Sequence, residues 1–267
     1  MKKYLALILF LTALLALGDR WHREHAARFD KAQSSTVLLE SSKSFGSGSG
    51  FVIKRSNPDG QSRLFVWTAS HVVCGDNDVK VSQVVRLNGV KVGSVNFIAH
   101  VLARDSSLDL SLLWLEAPPS FFSSSTFGGT EILPIGTKIF HCGNFLGAKL
   151  ENSVSSGIVS QVGVSAPGFP WQVIDQTTAL VEHGSSGGAV FSDRSGAVVG
   201  VATGVIEPGI TLFVPNRAVH AFVVVHSVEW AFSGGDCPSD GKLLLLRDAA
   251  RVSIENVDPF FKLLLGH

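Results

Sequence analysis

The chain has 267 residues and 28.4 kDa, and its 22 Lys+Arg balance 22 Asp+Glu, so it lacks the net field that drives binding to nucleic acid or to an anionic membrane surface. With 45% hydrophobic and only 16% charged residues it can bury a large core, which excludes an intrinsically disordered protein. Cys74, Cys142 and Cys237 form no CxxC pair and keep no metal-ligand spacing, so neither a disulfide scaffold nor a zinc site is expected.

In chain order, Lys2-Lys3 precede an apolar run from Tyr4 to Leu17, with small residues at Ala16 and Gly18. Residues 1–18 are therefore expected to be a secretory signal cleaved after Gly18 or a retained single-span anchor. In either case the body lies outside the cytoplasm, periplasmic or secreted, and residues 4–18 provide any membrane association. Residues 19–35, charged and then Ser-rich, read as a tether, and the apolar Val37-Leu38-Leu39 leads into a first strand.

The body, residues 36–232, reads as short β-rich runs bounded by Gly, Ser, Asn, Asp and Pro. Strands are expected at Gly50 to Lys54, Arg63 to Thr68, Phe97 to Ala103, Ser111 to Leu115, Lys138 to His141, Gly157 to Val164, Trp171 to Asp175, Ala197 to Thr203 and Thr211 to Val214. No segment between them has helical length and period, so alternating βα units are disfavoured and a pair of antiparallel barrels is expected. A helix should follow Pro215-Asn216, from about Arg217 to Phe232, stopped by Gly234-Gly235. Residues 233–267 form a C-terminal extension with one strand-like run, Lys242 to Leu246. The fold class is all-β, two packed barrels with a C-terminal helix and an N-terminal apolar leader.

Three short motifs carry chemistry. In Gly184-Ser185-Ser186-Gly187-Gly188, a serine flanked by glycines suits a nucleophile on a tight turn, with the amides of Gly184 and Ser186 aimed at a developing oxyanion. A serine hydroxyl needs a neighbouring base, and His71 in Thr68-Ala69-Ser70-His71 stands where an apolar strand ends. His183, beside the serine turn, is expected to be a substrate-side or structural residue. An acid must orient the base. Asp109 in Leu108-Asp109-Leu110-Ser111 puts one carboxylate at the start of an apolar strand, and Asp105, in a more polar stretch, is the weaker candidate.

The order His71, Asp109, Ser186 within TASH, LDLSLL and GSSGGA resembles the trypsin-like peptidases, and more closely their HtrA/Deg branch. Gly46 to Ile53 is similar to that branch's GSGF segment, and Gly143-Asn144-Phe145-Leu146-Gly147 with Val154 to Ser160 to its GNPxG…TxGIVS stretch. Gln176-Thr177, Gly200 to Thr203 and Phe213-Val214-Pro215-Asn216 match in order, so the likeness covers roughly residues 36–225. It implies a serine endopeptidase acting on unfolded or processed proteins through an acyl-enzyme, with His71, Asp109 and Ser186 as the triad and no metal or cofactor. Homo-oligomers are common in that branch, though no segment here stands out as building one. Leu180 holds the position six before the serine, where trypsin-type enzymes have an aspartate. The resemblance places Val181, Val205 and Ile206 around the primary pocket, implying a preference for small or medium aliphatic residues before the scissile bond. Departures are Ser185 for the usual Asn or Asp, the Glu182-His183 pair, and a tail too short for a PDZ module. The unusual Glu182-His183 pair keeps an alternative in view, a catalytically latent binding or chaperone-like protein on the same fold.

Overall fold

The computed structural model describes residues 26–43, 46–87, 89–164, 173–207 and 209–254, with only the backbone described at 206, 207 and 252–254. The leader reading, residues 1–18, lies outside these. Among the described residues twelve antiparallel strands close into two barrels of six. The first contains β1 (Thr36–Glu40), β2 (Ser47–Ser56), β3 (Ser62–Thr68), β4 (Asp78–Leu87), β5 (Val90–Asp105) and β6 (Leu110–Glu116), in the order β1-β2-β3-β6-β5-β4. The second contains β7 (Lys138–Phe145), β8 (Leu150–Val164), β9 (Ile174–Thr177), β10 (Ala189–Ser192), β11 (Val198–Glu207) and β12 (Ile210–Pro215), ordered β10-β11-β12-β9-β8-β7. Pairing of β1 with β4, and of β10 with β7, closes each sheet and removes its edges.

Side-chain alternation explains how the barrels join. In β2, β3 and β6, successive residues point to opposite faces. Val52, Leu64, Val66, Leu113 and Leu115 fill the first barrel with Val37, Leu39 and Val81. Their neighbours Phe51, Ile53, Phe65, Trp67, Leu110 and Leu112 point outward and meet Phe140, Ala189, Phe191 and Val214 of the second barrel. Both faces of these strands are thus buried, which is why Leu64-Phe65-Val66-Trp67 reads as a continuous apolar run rather than an alternating one. Each fully buried large side chain contributes about 1.5–3 kcal/mol of transfer free energy. The second barrel encloses Ile139, Val159, Ala179, Val181, Val190 and Phe213.

Four α-helices lie outside the barrels among the described residues, and two of them stand where no helix was expected. Residues 26–35, read as tether, form helix α1. Phe29 and Ala32, three apart and so on one helical face, pack on the inter-barrel core, Phe29 edge-on to Phe140 at 4.8 Å. Hydroxyls of Ser34, Ser35 and Thr36 bond back to the carbonyls of Asp30 and Ala32, satisfying the helix end, so the serines that suggested a linker are cap residues. Helix α2 (Asn216–Val225) starts where expected but stops early at Ser227, which has φ 54°, and the short α3 (Trp230–Ser233) follows.

The run Lys242 to Leu246, expected as a strand, belongs to helix α4 (Asp240–Ile254). Leu243, Leu246 and Ala250, spaced for one helical face, contact the cores, and Arg63–Asp240 (2.7 Å) and Arg251–Asp78 (3.0 Å) bridge its two ends to the first barrel. The three cysteines are free. Among the described residues no helix is long and apolar enough to cross a membrane.

Candidate active site

The site lies where the first barrel's β3–β4 and β5–β6 connections face the turn before β10. His71 sits on a single 3₁₀ turn, Ser70–Val73, directly after β3. Asp109 stands at the entry to β6 with φ 52°, a left-handed conformation that Asp tolerates better than most residues. Its carboxylate is 1% exposed, and a charge so buried needs partners. It has three: the His71 amide donates at 2.9 Å, His71 Nδ1 lies 2.9 and 3.0 Å from its two oxygens, and the Thr203 hydroxyl donates a short bond from the second barrel.

A carboxylate only accepts, so Nδ1 of the neutral imidazole carries the hydrogen and Nε2 is left with a free lone pair. Burial pulls the His71 pKa down, and the charge and hydrogen bond of Asp109 more than offset it, so the ring ends above its ordinary value of 6.5. The ring stays 29% exposed, open to the cleft. Thr203 was within a motif noted in the sequence, but nothing local marked its hydroxyl as a partner of a carboxylate 94 residues away.

The serine turn is held through all of its carbonyls from Glu182 to Ser186 and through the amides of Ser185, Gly187 and Gly188. The Ser185 amide donates to Glu182 O at 2.9 Å and Gly184 has φ 88°, a type II turn that requires glycine at this position. A Cβ at Gly184 would also sit 2.5 Å from the amide of Gly147. His183 O accepts from the Leu146 amide at 2.7 Å, which in a trans peptide turns the Gly184 N–H to the opposite side. The amides of Gly184 and Ser186 have no acceptor among the described residues. Two donors beside a serine can receive an oxyanion. Ser186 Oγ itself donates to Thr203 O at 3.1 Å and is not hydrogen-bonded to His71.

Beneath the turn lies a residue that sequence reasoning passed over. His141 is fully buried, its Nδ1 3.1 Å from Ala189 O, and burial pushes its pKa down to about 4. The ring occupies space left by two glycines, since a Cβ at Gly143 would lie 2.5 Å from Nε2 and one at Gly188 2.7 Å from Cε1.

A cavity of about 630 Å³ is lined by His71, Ser186 and Gly184 together with Ser47, Leu146 and Lys149, among others. His71, Ser186 and Gly184 thus share one cleft, with Asp109 buried behind the histidine. The expected pocket residues are not part of that cavity. Val181 points into the second barrel's interior, Val205 is 37% exposed on β11, and the side chain of Ile206 lies outside the described residues.

Double barrel, paired histidine and carboxylate, and glycine-flanked serine turn together define a chymotrypsin-like peptidase scaffold. Residues 48–201 match the family model described as Trypsin-like peptidase domain, and the chain belongs to that family. It is 33% identical over 70% of its length to the Probable periplasmic serine endoprotease DegP-like of Brucella suis, and 28% identical over 73% to the Serine protease Do-like HtrA of Lactobacillus helveticus. The matches cover 35% and 46% of those proteins, so the chain spans less than half the length of either relative. Among solved structures, an HtrA-type protease AlgW with tripeptide superposes with a TM-score of 0.61 at 20% identity, covering 78% of this chain and 64% of that one, which establishes the shared fold.

Proposed function

We propose that the chain is a serine endopeptidase that cleaves peptide bonds through an acyl-enzyme. The observation that carries this is the buried Asp109 carboxylate bonded to His71, whose open face shares a cleft with Ser186 and the two acceptor-free amides of its turn. In this reading Ser186 Oγ leaves the Thr203 carbonyl by rotation about its Cα–Cβ bond to another staggered position and attacks the substrate carbonyl. His71 Nε2 takes the hydroxyl proton and returns it to the leaving amine. Asp109, held by Thr203, keeps the required tautomer and stabilises the imidazolium. The amides of Gly184 and Ser186 receive the negative oxygen of each tetrahedral intermediate, and water, deprotonated by His71, then releases the acyl group.

For specificity, the preference for small or medium aliphatic residues before the scissile bond rests on the family resemblance that assigns Val181, Val205 and Ile206 to the primary pocket, and the aliphatic Leu180, where trypsin-type enzymes have an aspartate, supports it by offering no partner to a cationic side chain. Discrimination by such a pocket is modest, about 1–3 kcal/mol per methylene. Substrates are unfolded or processed proteins, and the protein acts outside the cytoplasm, a location supported by the apolar run at residues 4–17 and by a relative named as periplasmic. Assembly into a homo-oligomer is part of the same proposal and rests on the family alone.

The Ser186 Oγ to Thr203 O bond favours a second reading, a latent protease-fold binding or chaperone-like protein. Treatment of the full chain with a fluorophosphonate probe at pH 7.5, alongside cleavage of unfolded casein and a Ser186→Ala control, separates the two. Labelling and cleavage that vanish in Ser186→Ala are expected. A folded protein that neither labels nor cleaves would overturn the peptidase reading in favour of the latent one.

A further inference from the structure

We infer that the Ser49 hydroxyl is a positioning residue for the oxyanion hole, locking the Gly184 carbonyl so that the turn keeps its amides turned to substrate. The inference rests on the peptidase reading above. Ser49 lies on β2 in the first barrel and is completely buried, while the turn it touches belongs to the second barrel. Its Oγ donates to Gly184 O at 2.8 Å and accepts from the Asn144 amide at 2.8 Å and from Asn144 Nδ2 at 3.1 Å.

A serine hydroxyl has one proton and two lone pairs. Asn144 fills both lone pairs, so the single proton is directed at Gly184 O. The orientation of the Asn144 amide is set in turn, because its Oδ1 accepts from the Asn152 amide at 3.1 Å and its Nδ2 also donates to Val37 O at 2.8 Å. Only the oxygen can face the Asn152 N–H, so the amide cannot flip and hand Ser49 an acceptor instead of a donor.

The backbone of the same residue completes the grip: the Ser49 amide donates to Ser186 O at 2.7 Å. Every carbonyl from Glu182 to Ser186 is then engaged, Glu182 O by Ser185, His183 O by Leu146, Gly184 O by Ser49, Ser185 O by Gly188 and Ser186 O by Ser49. Gly184 O shares its peptide with the Ser185 amide, itself bonded to Glu182 O, so the Ser49 hydroxyl fixes the plane that lies between the Gly184 and Ser186 amides and thereby the direction in which the turn presents them. Glycine at 184 is the most mobile link in this chain of peptides, and the Ser49 hydroxyl is the only side chain among the described residues that bonds its carbonyl.

The test is Ser49→Ala in the full chain, assayed on a chromogenic peptide ester with valine before the scissile bond, with kcat referred to active sites titrated by a fluorophosphonate. The expected result is a fall in kcat of roughly 10- to 100-fold, smaller than the 10²–10³-fold of deleting an oxyanion donor outright. KM stays within about twofold, because the oxyanion contact forms in the transition state. The inhibition constant of the matching peptidyl aldehyde, whose hemiacetal oxygen occupies the hole, rises by the same factor as kcat falls. The His71 limb of the pH profile does not move, and Ser49→Thr, which keeps a hydroxyl, recovers most of the rate.

A merely structural Ser49 would lower the fraction of titratable sites and the melting temperature while leaving kcat per titrated site and the aldehyde affinity unchanged, and that outcome would overturn the inference. An unreactive wild-type chain would instead overturn the peptidase reading, and this inference with it.

Discussion

Replacing Asp109 by Asn is the sharpest probe of the site because the backbone at this position tolerates it. Asp109 has φ 52°, and Asn is among the few residues at ease in that region, so the substitution should leave the β6 entry unstrained. The chemistry changes instead. The wild-type carboxylate accepts from the His71 amide, from His71 Nδ1 and from Thr203 Oγ1. An Asn amide has one oxygen to share among these donors and must turn its NH₂ toward the others. The oxygen is best used by the His71 amide and Thr203, leaving the NH₂ to face Nδ1. That makes Nδ1 an acceptor and puts the ring hydrogen on Nε2, the wrong tautomer for a base toward Ser186.

In Ser-His-Asp enzymes generally this exchange lowers kcat by about 10⁴-fold, equivalent to about 5.5 kcal/mol of barrier. The same exchange removes the charge that raises the His71 pKa, so the midpoint of the acid limb should fall from above 6.5 in the wild type to below it, where burial alone takes the ring. The sign follows from the role of the neutral ring as base: activity is present above the pKa and lost as pH falls through it. The assay is kcat/KM for a peptide ester between pH 5 and 9, on protein whose melting curve matches wild type. A folded Asp109→Asn variant within 10-fold of wild type, or one whose acid limb stays in place, would refute the assignment of Asp109 and His71 as a working pair.

Three further outcomes are expected. Thr203→Val should keep the fold of β11 and lower kcat by roughly 10-fold, because one of the donors that hold the buried carboxylate is lost at a cost of about 1–3 kcal/mol; an unchanged rate would remove Thr203 from the site. His141 is buried neutral with its pKa near 4, against 6.5 when exposed, so the stability it supports is complete above pH 6.5 and is lost as pH falls toward 4. The loss should reach on the order of 3 kcal/mol. Urea unfolding of wild type and His141→Gln across pH 4–7 would show this slope flattened in the variant, whereas parallel curves would contradict it. Phe29→Ala should destabilise the protein by about 1–2 kcal/mol in urea melts, as expected for a half-buried aromatic packed on Phe140; no change would mean that α1 is a tether after all.

Legibility in the sequence followed the range of the physics behind each signal. Strands such as Arg63 to Thr68 and Thr211 to Val214 could be read because β-branched and aromatic runs bounded by turn residues report a local preference. Two elements went wrong for one reason. Phe29 with Ala32, and Leu243 with Leu246 and Ala250, keep helical spacing, but each face is thin and sits among serines or inside a leucine run, so its meaning depends on which surface it covers. β4 and β10 escaped notice too, β10 because its four residues Ala189–Ser192 are too few to show a period.

By itself the sequence determined the fold class and the order of the candidate parts: a glycine-flanked Ser186, a His71 closing an apolar strand, an Asp109 opening another, and strands dense enough for two barrels. Local residue type is sufficient there, because turn geometry and strand preference act over a few residues. Only the tertiary structure decided the partners. Closing the barrels brings Thr203 to a carboxylate 94 residues away and Ser49 to a carbonyl 135 residues away. It also places His141 under the serine turn and turns Val181 inward. Hydrogen bonds act over about 3 Å of space whatever the separation along the chain. Which groups come within that distance is set by sheet closure and register, and no local pattern encodes them.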